Sequence, residues 1–69
     1  MNKQIATIAF VDRDSQEDGV VIVTVGSDAV GLTLSLRRNG DINVFLDAKV
    51  ADAVIEALRR ARAMLDNRN

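Results

Sequence analysis

Residues 47–67, DAKVADAVIEALRRARAMLDN, contain no Gly or Pro and are rich in strong helix formers. They predict one helix of about six turns. At 3.6 residues per turn, Val50, Ala51, Val54, Leu58, Ala61 and Leu65 share a face. Ala53, Ala57 and Met64 widen that face on one side, and Ile55 sits past its other edge. Asp52, Glu56, Arg59, Arg60 and Asp66 take the opposite side. A narrow apolar seam would fit a coiled coil, whereas an arc this broad fits a sheet. Such a helix draws most of its stability from burying that arc, so residues 1–46 have to supply the cover. Asp47 is placed to cap the first turn through its carboxylate. Asp52 and Glu56 precede Arg59, Arg60, Arg62 and Arg68, an order that suits the helix dipole. Glu56 and Arg60 form a favourable i,i+4 pair of roughly 0.2–0.5 kcal/mol.

The preceding chain reads as four strands. Residues 4–11, QIATIAFV, and 20–25, VVIVTV, are apolar on both alternating faces, and the second is β-branched at every position. Residues 32–37, LTLSLR, alternate leucines with Thr33, Ser35 and Arg37. Residues 42–46, INVFL, place Ile42, Val44 and Leu46 on one side and Asn43 and Phe45 on the other. The polar run 12–19 separates the first two strands, and a turn opening at Gly26-Ser27-Asp28 and ending at Gly31 separates the next two. Asn39-Gly40 predicts a type I′ hairpin. Short connections favour a four-stranded antiparallel meander with one C-terminal helix packed on one face, an α+β fold in the order β-β-β-β-α. The leucines of the third strand, with Ile42, Val44 and Leu46, are expected to meet the helical arc.

A chain of 69 residues fits a single domain, 1–69, with a small core. Disulfides and soft metal sites usually reinforce such domains, but there is no Cys and no His. Oligomerisation remains, or simply marginal stability. A two-layer fold leaves the far side of its sheet in water. In the third and fourth strands that side is polar apart from Phe45, but in the first two strands both sides are apolar. Surplus apolar surface of this kind marks an interaction site. The expectation is a homo-oligomer, a dimer, with Ile8, Phe10, Val21, Val23 and Phe45 in its interface. Which face of the first two strands meets the helix is left open, because a one-residue change of register reverses it.

The inventory for chemistry is thin. His, Cys and Tyr are all missing, and no Ser lies in a recognisable arrangement with Lys3 or Lys49, so no enzyme is expected. Asp12, Asp14 and Gln16 fall at the first three ligand positions of a calcium loop, but Glu17 stands where the loop needs Gly and Val23 where it needs a bidentate Glu. The segment reads as a solvated hairpin loop, and neither metal nor cofactor is expected. Arg37, Arg38 and Arg62 are the candidates for holding an anionic group. A net charge of −1 and the lack of Trp and Tyr argue against a nucleic-acid surface. No apolar run approaches the ~20 residues of a membrane span and no secretory leader is apparent, which points to the cytoplasm. Three functional expectations follow. The leading one is a small non-enzymatic homo-oligomer that occupies a partner protein, as inhibitors, immunity factors and phage accessory proteins do. The alternative is a binder of an anionic metabolite or nucleotide, with its pocket between subunits. The third is a structural module of a larger assembly.

Overall fold

The structure, a computed structural model, describes residues 2–66. Four strands, β1 (Lys3–Val11), β2 (Asp18–Val25), β3 (Val30–Leu36) and β4 (Gly40–Leu46), precede one helix, α1 (Ala48–Asp66). The strands form a single antiparallel sheet in the order β1-β2-β3-β4, so the fold is the α+β meander with a C-terminal helix. Arg68, and Asn67 at the expected helix end, lie outside the described residues.

Directly opposed residues in an antiparallel sheet share a face. On one face the register lines up Ile8–Val21–Leu34–Ile42 and, beside it, Ala6–Val23–Leu32–Val44. Phe10–Gly19–Leu36 flanks these rows at one end, and Val25–Val30–Leu46 flanks them at the other. This is the helix side of the sheet, here called the inner face. A Cβ on Gly19 would stand 2.6 Å from the Phe10 ring and 2.9 Å from Leu36, so only glycine lets those two side chains close over the backbone. The outer face carries Thr7–Ile22–Thr33–Asn43 and Ala9–Val20–Ser35–Asp41. There Thr33 donates to the Asn43 side chain, and Ser35 donates to Asp41 at 2.6 Å, so the polar half of that face is tied across strands. A bulge between Gln4 and Ala6 leaves Ile5 as the extra residue of β1.

Three local expectations are corrected. Gly40 has φ 83°, but Asn39 does not share the left-handed backbone, so the β3–β4 turn is not type I′. Leu36 opposes Gly40, and residues 37–39 form a longer loop closed by a left-handed glycine. The β2–β3 turn ends earlier than Gly31: the Gly26 N–H donates to the Ala29 carbonyl at 2.9 Å, and Gly31 lies inside β3 against Thr24 and Phe45. The terminal turns of α1 hold no acid at the start and no base at the end; Lys49 stands in the first turn and Asp66 in the last, while Asp52, Glu56, Arg59, Arg60 and Arg62 lie between them. The dipole acts within the terminal turns, so their order adds little through it. The cap is as expected. Asp47 accepts from the Val50 N–H through its carboxylate at 2.9 Å and from the Ala51 N–H through its carbonyl at 2.9 Å.

The helix and the sheet overlap only in part. Nineteen residues of helix span about 29 Å, and the nine of β1 about 30 Å. The molecule is 43 Å long, longer than either element. Ala51 and Val54 are half-buried, whereas α1 is exposed from Ile55 to Leu65.

Candidate functional site

The most distinctive surface is the inner face itself. Among the described residues no apolar side chain is fully buried. The helix covers one corner of the sheet, where Ala51, Val54, Ile55 and Leu58 face Val23, Val30, Leu32 and Leu46 across an apolar groove of about 350 Å³. Ile55 therefore belongs to the sheet-facing side of α1, which is rotated toward it relative to the arc expected from periodicity. The expected cover of β3 and β4 is incomplete. Leu32 and Leu46 line the groove, but Leu34 and Val44 are exposed and Ile42 is 63% accessible. Ile8, in the same row as Leu34 and Ile42, is 54% accessible. On the helix, Leu58 and Met64 are 65% and 68% accessible.

The five residues expected in an interface divide between two faces. Ile8, Phe10, Val21 and Val23 come together on the inner face. Val21 and Val23 are half-buried, and Phe10 is half-buried over Gly19. Phe45 lies on the outer face, where its ring approaches Gly31 and borders a shallow cleft with Thr24, Gly26 and Ala29. The sequence left the choice of inner face open. The register settles it by placing Val21 and Val23, and not Val20 and Ile22, on the face of the groove, which Val23 lines.

The three arginines expected to hold an anion are also divided. Arg37 and Arg38 line a cleft of about 270 Å³ with Ser15, Gln16, Glu17 and Asp18. Arg62 lies on α1 and does not line that cleft. The cleft is not a cationic pocket, because its carboxylates match its guanidinium groups. Arg37 pairs with Asp18 at 3.7 Å with both side chains open to solvent, a contact of about 0–1 kcal/mol. The Arg37 N–H donates to the Asp18 carbonyl at 3.0 Å. The Glu17 carboxylate accepts from the Arg38 N–H at 2.8 Å and from the Asn39 side-chain amide. These bonds splice the β1–β2 and β3–β4 loops together, a link between residues 21 and 22 positions apart that no local pattern announces.

The acidic loop 12–17 is folded on itself. The Asp12 carboxylate accepts from the Ser15 N–H at 2.8 Å, and the Asp12 carbonyl accepts from the Gln16 N–H at 2.8 Å. The Asp12 N–H donates to the Glu17 carbonyl at 2.9 Å, and the Glu17 N–H donates to Ser15 Oγ at 3.3 Å. Gln16 takes a left-handed backbone, with φ 65°, to close the loop. The hydrogen bonds from Ser15 hold the Asp12 carboxyl below its ordinary value of 3.8. Asp12 thus serves as a turn cap. No group of three metal-ligating side chains occurs among the described residues, and no helix among them is long and apolar enough to cross a membrane. The chain matches no protein-family model, no curated protein and no solved structure.

Proposed function

We propose that the chain is a small, non-enzymatic, homo-oligomeric binding protein that acts by occupying a partner protein. The observation that carries this reading is the inner face: four strands of aliphatic side chains of which the helix covers one corner, with no fully buried apolar side chain among the described residues. Contiguous exposed apolar surface marks interaction sites in small proteins. The reading places the protein in the cytoplasm on the sequence grounds given above. An anionic small ligand held by Arg37, Arg38 and Arg62 has less support, because Glu17 and Asp18 share the cleft of the first two and Arg62 is not in it.

Val21→Asp and Val23→Asp test the reading, since each puts a charge into the centre of an apolar row. The expected outcome is a lower native mass by light scattering and loss of proteins that the unaltered chain retains from a cell lysate. An unchanged mass together with unchanged retention would refute it.

A further inference from the structure

We propose that a second copy of the chain covers the inner face by reciprocal exchange of helices, the C-terminal half of each α1 lying across the sheet of the other protomer. This deepens the homo-oligomeric reading above and rests on it. The first argument is area. A compact monomer of 7.5 kDa exposes about 4,200 Å². This chain exposes 5923 Å², roughly 1,700 Å² more. Obligate dimers bury roughly 1,000–2,500 Å² per partner, so one interface accounts for the whole excess. The radius of gyration tells the same story: it is 13.7 Å against about 11 Å for a compact chain of this length.

The second argument is complementarity. The chain carries two apolar surfaces that its own fold does not bring together. One is the far part of α1, beyond the groove, with Met64 and Leu65 exposed. The other is the row Ile8–Val21–Leu34–Ile42, which the helical groove does not reach. Helix on sheet is the packing that each surface asks for, and a two-fold axis provides it twice, with each chain giving its helix and receiving its partner's. No ionisable side chain occurs in that row or in the Ala6–Val23–Leu32–Val44 row beside it, so the sheet's side of the contact buries no charge when a second copy lies over it.

The chain has no Cys, so introduced thiols report contacts without background. Met64→Cys is mixed under mild oxidation with Ile8→Cys, Leu34→Cys or Ile42→Cys, each substitution in a separate chain. Native mass is followed over a dilution series. The expected result is twice the 7.5 kDa protomer mass and a mixed disulfide in at least one of the three pairings. Ile42→Asp provides the second measurement. At 63% exposure in a single chain this substitution would be silent, but under helix exchange it raises the dissociation constant by about tenfold or more while the circular dichroism of the protomer persists. A dimer with no mixed disulfide and a silent Ile42→Asp would overturn the exchange and leave the homo-oligomeric reading standing. A monomer at all concentrations would overturn both.

Discussion

The two ends of this small molecule solve opposite problems. At the loop end, polar groups outnumber apolar ones and are paired within the chain. Asp12 closes the first loop, Glu17 clamps the third, and Arg37 returns to Asp18. On the inner face the side chains are aliphatic in row after row, and the chain lacks the material to cover them. Hydrogen bonds reach their partners within one loop or between two neighbouring loops, so 69 residues suffice to satisfy them. Burying apolar area needs bulk on both sides of the buried layer, which a domain of this size has least of. The difference separates an end that folding alone finishes from an end that the proposed association would finish.

The largest effect to expect follows from that difference. If the inner face is buried only on association, thermal stability depends on protein concentration, because dilution favours the unfolded single chain. Each tenfold increase in concentration is worth about 1.4 kcal/mol per dimer. With about 2.1 cal/mol/K of unfolding entropy per residue over two chains, that is roughly 5 °C in melting temperature. Calorimetry over two decades of concentration checks it. A melting temperature independent of concentration would break the comparison, because the inner face would then be stable while open.

A smaller effect is expected at the junction of the two regimes, where the sheet passes into the helix. Asp47→Ala removes the carboxylate that caps the Val50 N–H and should lower stability by about 1 kcal/mol. The helix is the element that the exchange requires, so the loss should appear in chemical denaturation of the dimer with its mass unchanged at high concentration. Asp47→Asn, which keeps an accepting oxygen, should recover most of it.

Much of the architecture was legible in the residues because each element carried its own local signal. The leucines alternating through β3 predict a half-buried strand, and Asp47 before an uninterrupted helical pattern predicts the helix start. What stayed hidden was relational. Val20–Val25 is apolar on both sides, so nothing in it distinguishes inner from outer; the register against β3 made that choice. The same register gathered Ile8, Phe10, Val21 and Val23 and sent Phe45 to the other side. Asn39-Gly40 suggested the shorter turn, but the clamp from Glu17 to Arg38 and Asn39 accompanies a longer loop, and its partner lies in another hairpin. The partial cover by α1 was hidden for a further reason. Periodicity fixes which side of a helix is apolar, but the angle at which the helix leaves β4 depends on what else it packs against.

The smallest effect is confined to the loop end and sharpens the contrast from that side. The Asp12 carboxyl is held below 3.8 by the Ser15 hydrogen bonds, so the folded loop prefers its charged form more than the unfolded chain does. Its contribution is therefore fully present above the unfolded value and is lost as pH falls through the folded value, a window that opens below about pH 4. Carboxyl titration by NMR should give Asp12 a midpoint below 3.8, and the Ser15 amide should lose its protection through the same transition. Asp12→Ala should remove that protection at neutral pH. Asp12 belongs to no row of the inner face, so the same substitution should leave the native mass unchanged. A change in mass with Asp12→Ala would mean that the loop end and the inner face are coupled, and that the tidy end of the molecule takes part in assembly.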